Sequence, residues 1–333
     1  MAARLKRYAL QSLTHGSIVL LAYAVVAPAL AQSTPAYPQR PIRVVIPYAP
    51  GGGSDILARF LAPRMAADLG QQIVIDNRPG GSAMIGTQIM ARAAPDGYTL
   101  GVIDSAFMIN PSLYKKMSYE ALKDFAPITL FASSPLLLVV HQSVPANSTS
   151  ELIALAKSRP GKLTFSSAGN GTAIHLALEQ FRLAAGIDTI HVPYKGGGPS
   201  VAELVAGQVA YSLASPASLA PFVKASRVRV LATTAPKRLA TFPDVPLLAE
   251  QGLAAVNSNP CWGMVAPAGT ASDIVKRLHA VIVRHLNAPD LKPRLAELDF
   301  EVVANTPEEF SAFIRAEIPK FAKLVRDAGV KVE

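Results

Sequence analysis

Apolar residues recur along this chain in two alternating rhythms, a short continuous run and then a spacing of three or four. Ile42 to Pro47 is a β-branched run that predicts a buried strand, ended by Pro50-Gly51-Gly52-Gly53-Ser54-Asp55. Ile56, Leu57, Phe60, Leu61, Met65 and Leu69 then recur at helical spacing, with Ser54 or Asp55 placed to cap the start and Gly70 to close the end. Gln72 to Asp76 predicts a second strand, Asn77 to Ser82 a turn-rich loop, Ala83 to Ala93 a second helix and Tyr98 to Ile103 a third strand. This βαβαβ order predicts an α/β fold with a parallel sheet and ligand loops at the carboxyl ends of its strands.

The rhythm then restarts. Leu136 to Val140 reads as a strand, Ser150 to Lys157 as a short helix and Leu163 to Ser166 as a further strand running into Ala168-Gly169-Asn170-Gly171-Thr172. Ile174, Leu178, Phe181 and Ala185 share a helical face that stops at Gly186. Thr189 to Val192 precedes Tyr194-Lys195-Gly196-Gly197-Gly198-Pro199-Ser200 and a helix through Gly207, where Ser200 and Glu203 have capping-box spacing. Val228 to Ala232 and Met264 to Ala266 are predicted strands, and the last 60 residues are mainly helical, with stripes at Ile274, Leu278, Ile282, Leu286 and at Phe310, Phe313, Ile314. Similar strand, Gly-rich loop and helix units in each half suggest two domains whose loops face each other across a cleft.

The first residues alter the picture. Arg4, Lys6 and Arg7 precede an apolar run from Ser17 to Ala29 that ends in Ala29-Leu30-Ala31, the small-x-small pattern of a cleavable secretory leader cut after Ala31. The run is shorter than the roughly 20 residues of a membrane-spanning helix. Cleavage of a 333-residue chain there leaves 302 residues with a net charge of +6, a length that favours two domains. Lys and Arg are scattered rather than clustered, which argues against nucleic acid and leaves a weak preference for anionic solutes. Cys261 is the only cysteine, so no intramolecular disulfide or cysteine metal cluster is expected, and it reads as a buried apolar residue.

The candidate chemistry lies at helix N-termini preceded by glycine and small hydroxyl residues. Unpaired backbone N–H groups there, with the positive pole of the helix, bind anions without a charged side chain. Gly51 to Gly53 offer this in the first half; Gly169, Gly171, Thr172 and then Gly196 to Ser200 offer it in the second. A dinucleotide fingerprint begins at Gly51-x-Gly53 with Asp76 beyond it, but its third glycine position holds Ile56. No Gly-x-Ser-x-Gly elbow or His-Glu-x-x-His is present, and neither cofactor nor metal is expected. His175 is placed equally well for ligand contact or for packing. Asp55 suits a helix cap or a hydrogen-bond acceptor better than a general base.

The motifs as they stand are Tyr37-Pro38-x-Arg40-Pro41-Ile42-Arg43, Pro50-Gly-Gly-Gly-Ser-Asp55, Asp76-Asn77-Arg78-Pro79-Gly80-Gly81, Pro95-Asp96-Gly97-Tyr98-Thr99-Leu100, Asn110-Pro111-x-Leu113-Tyr114 and His191-Val192-Pro193-Tyr194-Lys195-Gly196-Gly197. With Ala249-Glu250-Gln251-Gly252 and Ala266-Pro267-Ala268-Gly269-Thr270, they resemble the Bug family, the extracytoplasmic solute receptors of tripartite tricarboxylate transporters, typified by TctC. The resemblance implies a non-enzymatic periplasmic binding protein of the two-domain, type II Venus-flytrap kind, with parallel-rich sheets flanked by helices. The first domain would be discontinuous, 32–135 plus 233–333, and the second 136–232, with chain crossings near Ser133 to Val140 and Val230 to Thr234. It further implies that a small carboxylate is held by backbone N–H groups and waters. Carried over by position, the ligand site is Tyr48, Ala49, Gly52, Gly53, Ser54, Asp55, Ser105, Ala168, Asn170, Gly171, Thr172 and His175, with Tyr194 and Lys195 nearby. The expected partners of a monomeric receptor are membrane transporter subunits, or a regulatory protein if the chain serves as a sensor. An enzyme using Asp55 or His175 is the alternative class. Ala210 and Ala214 replace acidic residues usual in the family, and Asn259-Pro260-Cys261 is also unusual; these departures favour an apolar or aromatic acid over an amino acid.

Overall fold

The computed structural model describes residues 37–330, so the expected leader and its cleavage point lie outside the described residues. Strands β1 (Ile42–Ile46), β2 (Ile73–Asn77), β3 (Thr99–Asp104), β4 (Phe125–Ser133), β10 (Cys261–Pro267) and β11 (Glu301–Val302) form one sheet, in the order β11-β4-β10-β3-β1-β2. A second sheet has the order β7-β6-β8-β5-β9, from β5 (Leu137–His141), β6 (Thr164–Ser167), β7 (Ile190–Pro193), β8 (Tyr211–Ala214) and β9 (Val228–Thr233). The helices are α1 (Gly53–Leu69), α2 (Met84–Ala91), α3 (Ala106–Leu113), α4 (Thr149–Ser158), α5 (Ala173–Ala185), α6 (Gly197–Val205), α7 (Pro216–Lys224), α8 (Ser272–Leu286), α9 (Lys292–Ala296) and α10 (Pro307–Asp327).

Both sheets are mixed. β1 pairs in parallel with β2 and β3, and β6 with β7 and β8, as expected of strands joined by crossover helices. β10 returns from far along the chain and inserts between β3 and β4, antiparallel to both. β1, apolar at four of its five positions and paired on both sides, is the buried strand from which the first loop springs. Each sheet has apolar clusters of its own: Ile42, Val44, Leu57 and Leu278 are in one cluster of the first, and Leu138, Phe165, Phe181 and Tyr211 in one of the second.

The chain passes from the first sheet to the second at Ser134–Leu136. This passage is tied to later segments: the Ser134 N–H donates to the Pro260 carbonyl at 3.1 Å, and the Leu136 N–H to Thr234 Oγ1 at 2.8 Å. The sequence puts the return after residue 232, yet Leu248, Leu253 and Val256 pack in the core of the second sheet. The chain therefore leaves that core only after Val256, because its 234–256 segment carries apolar residues without a strand or helix periodicity to place them.

Candidate functional site

The loop after β1 delivers the N-terminus of α1, where Gly52 is the N-cap residue and no side chain caps the helix. This corrects the expected cap at Ser54 or Asp55. Both residues lie inside the first turn, and the first helical bond runs from the Ile56 N–H to the Gly52 carbonyl. Among the described residues, nothing accepts from the Gly53 and Ser54 N–H groups. The Asp55 carboxylate instead secures the turn behind them. It accepts the Gly51 N–H at 3.0 Å, the Arg59 Nε–H at 2.9 Å and Asn77 Nδ2–H at 3.1 Å. Burial pushes this carboxyl up, but those three bonds and the Arg59 charge outweigh it and hold it below the usual range.

The second sheet supplies three more helix N-termini. α5 follows β6, and Thr172 at its N-cap accepts the His175 N–H at 3.2 Å while donating to the Gly169 carbonyl at 2.8 Å. Among the described residues, nothing accepts from the Ala173 and Ile174 N–H groups at this end. α6 begins at Gly197 after Gly196, with no side-chain cap. The expected capping box at Ser200 and Glu203 does not form, because the three glycines let the helix start earlier and Ser200 Oγ donates to Ser166 Oγ at 2.9 Å. α7 starts behind Ser215, whose hydroxyl lies 3.1 Å from that of Ser218.

The four N-termini converge on one cavity. Its lining is Tyr48, Gly52, Gly53, Ser54, Asp104, Ala168, Thr172, Ala173, Ile174, Gly197, Ala214, Ser215, Ser218, Pro260 and Trp262. It leaves about 40 Å³ for the centres of water-sized atoms, against the roughly 10–15 Å³ that a single water requires. No Lys, Arg or His is among those lining residues. Each helix end carries about half a positive charge at its N-terminus. The positive character of these walls therefore comes from backbone alone, and its donors are fixed before any anion enters.

Of the residues expected from sequence, Tyr48, Gly52, Gly53, Ser54, Ala168 and Thr172 line this cavity. Asn170, Tyr194 and Lys195 line a neighbouring groove of about 240 Å³, to which Tyr48 and Ala168 also contribute. The other five support the walls. The Ala49 N–H donates to the Lys195 carbonyl at 2.9 Å, joining the two loops, and Asp55 braces the first turn. Ser105 Oγ accepts the Cys261 N–H at 3.1 Å, and the Gly171 N–H donates to His175 Nδ1 at 3.2 Å. The buried His175 ring stacks on His191 at 4.1 Å. Burial, then His191 and Arg182, push its pKa down to about 3, so the ring is neutral.

Asp104, Ala173, Ile174, Ser215, Ser218, Pro260 and Trp262 are lining residues that the sequence reading does not name as ligand contacts. A carboxylate ending the third strand was a usable signal for Asp104. Trp262 had none, since its approach to Gly53 joins positions more than two hundred residues apart.

The family described as "Tripartite tricarboxylate transporter family receptor" matches residues 57–330. The periplasmic binding protein BugD is 33% identical, with a TM-score of 0.86 over 89% of this chain and 100% of that one. A Rhodopseudomonas palustris protein solved with adipate is 32% identical, with a TM-score of 0.85 over 89% and 99% of the two chains. MatC from Rhodopseudomonas palustris, solved with bound malate, is 31% identical, with a TM-score of 0.82 over 87% and 100%. The ordered motifs, the two mixed sheets and these likenesses agree, and the chain belongs to the Bug, or TctC-like, family of tripartite tricarboxylate transporter solute receptors.

Proposed function

We propose that this protein captures a small organic carboxylate between two lobes in the periplasm and presents it, chemically unaltered, to membrane transporter subunits. The lobes are those built on the first and second sheets, with the hinge at Ser134–Leu136 and Asn257–Pro260. The observation that carries this reading is the convergence of four helix N-termini on a cavity without a cationic side chain among its lining residues. Desolvating a carboxylate is costly unless donors replace its water. Here the Gly53, Ser54, Ala173 and Ile174 N–H groups stand ready to do so, with Ser215 and Ser218 beside them in the lining. Tyr48, Gly52, Ala168 and Thr172 complete the contact set we assign, with Ala49, Asp55, Ser105, Gly171 and His175 holding it in place.

Relatives solved with adipate and with malate support an organic acid as the ligand class. A receptor is favoured over an enzyme because Asp55 is occupied by Arg59, Gly51 and Asn77, and His175 accepts a backbone N–H. A thermal-shift screen of organic acids, followed by mass spectrometry of the recovered ligand, tests the reading. Binding raises the melting temperature by mass action and the acid returns intact. No shift with any acid, or conversion of the bound one, overturns it.

A further inference from the structure

The cavity holds one ionisable acid, and its position runs against a purely anion-binding wall. Asp104 ends β3 and is part of the lining. Its Oδ1 accepts the Tyr48 hydroxyl at 2.9 Å and the Ala106 N–H, at the start of α3, at 3.1 Å. Both bonds fall on that one oxygen; among the described residues no donor reaches Oδ2. Three of the four serine and threonine hydroxyls that share the lining are directed elsewhere: Thr172 to the Gly169 carbonyl and Ser218 to the Gly51 carbonyl, with Ser215 beside Ser218; the fourth, Ser54, makes no hydrogen bond to Asp104. Burial pushes the Asp104 carboxyl up to about 6 against the pull of its hydrogen bonds. Ala214 lines the same cavity with only a methyl group, so no carboxylate from β8 competes for the role.

A bound ligand therefore meets two kinds of surface. The helix N-termini take a negative group. An unpaired carboxylate oxygen takes a donor, and it repels a second negative group at short range. Building on the carboxylate-receptor reading above, we propose that Asp104 is the specificity-determining residue of this site. It accepts a hydrogen bond from an amino or hydroxyl group carried by the ligand. The site thus takes small amino or hydroxy monocarboxylates in preference to unsubstituted acids and dicarboxylates. The loss of acidic residues at Ala210 and Ala214 then does not turn the protein towards apolar acids; the acceptor has moved to the end of β3.

The test is calorimetry on the purified chain with matched acids: propionate, lactate and alanine, and succinate, malate and aspartate. The wild-type protein is expected to bind the best amino or hydroxy monocarboxylate at least tenfold tighter than propionate and than succinate. Asp104→Asn is expected to cost an amino acid at least tenfold, because the ammonium loses its charged partner, and a hydroxy acid less. Dicarboxylates should bind the variant more tightly than they bind the wild type. Propionate or succinate binding the wild-type chain as tightly as the substituted acids overturns the proposal, as does an unchanged preference in a folded Asp104→Asn protein. The wild-type comparison decides the matter even if the variant fails to fold. Binding of unsubstituted acids alone overturns only this assignment, whereas binding of no acid overturns the receptor reading and this one with it.

Discussion

At Gly53 the backbone is both wall and donor. A Cβ at this position would lie 2.3 Å from Cζ2 of Trp262, whose ring is itself held edge-on by Phe300 at 5.5 Å. The close approach lets the N–H groups of the first turn stand beside an apolar wall, where water competes weakly for them. Gly53→Ala must push the indole or the helix end aside. Overpacking of this kind costs about 1–3 kcal/mol, which urea denaturation would register, and ligand affinity should fall by more than stability does because the donors move with the turn. Affinity retained in a destabilised Gly53→Ala protein would show that Trp262 and α1 do not form the binding wall. The glycines and small hydroxyls announced themselves because they break local periodicity between a strand and a helix. Trp262, Pro260 and Ser218 gave no such sign: they reach the cavity through β10 and α7, and only the insertion of β10 between β3 and β4 brings the tryptophan to Gly53.

Among the elements, α5 shows how a helix start can be tuned by what lies under it. Its apolar face and its end at Gly186 were legible, since Gly186 takes the left-handed conformation with φ 60° that suits glycine after a helix. What lay hidden was the packing of His175 in the first turn against His191, whose Nε2 lies 2.6 Å from Ser167 Oγ. Burial pushes the pKa of His191 down to about 4, and that of His175, pressed further by His191 and Arg182, to about 3. Glu179, which stands 3.9 Å from His175 Nε2, is engaged by Arg182 at 2.8 Å. A histidine whose folded pKa is depressed adds stability above its unfolded value of 6.5, and that stability drains away as pH falls towards the folded value. The His175 share amounts to about 2 kcal/mol lost by pH 5. The melting temperature should accordingly fall between pH 6.5 and 4, and His175→Gln should flatten that fall, as read by calorimetric scans across the range. Identical pH profiles for variant and wild type would refute the linkage. Other elements escaped the sequence reading for simple reasons. β8 has only four residues, and β4 carries Pro127 within its run, so neither displays a period long enough to recognise.

For the whole molecule, the state described is one in which the two sheets' loops touch. Residues 37–330 pack as a single compact unit, and the Gly51–Gly53 and Gly196–Gly198 loops meet backbone to backbone. Besides the bond from Ala49 to Lys195, the Ser218 hydroxyl donates to the Gly51 carbonyl at 3.2 Å. Small residues are required here for a reason distinct from turn geometry. A Cβ on Gly198 would lie 2.0 Å from the Pro50 carbonyl oxygen, although the backbone there needs no positive φ. Alanine at 198 is thus compatible with α6, but not with the contact between the two loops. A site whose binding-competent state is depopulated loses apparent affinity in proportion. Gly198→Ala should leave the melting temperature of the ligand-free protein nearly unchanged, enlarge its radius of gyration in solution scattering, and weaken ligand binding by more than about tenfold. Saturating ligand should bring the radius back towards the wild-type value, since a ligand that bridges the lobes favours their closure by its differential affinity for the two states. If the variant scatters and binds like the wild type, the meeting of Pro50 and Gly198 is no part of the ligand-holding state, and closure must be sought in another arrangement of the same two sheets.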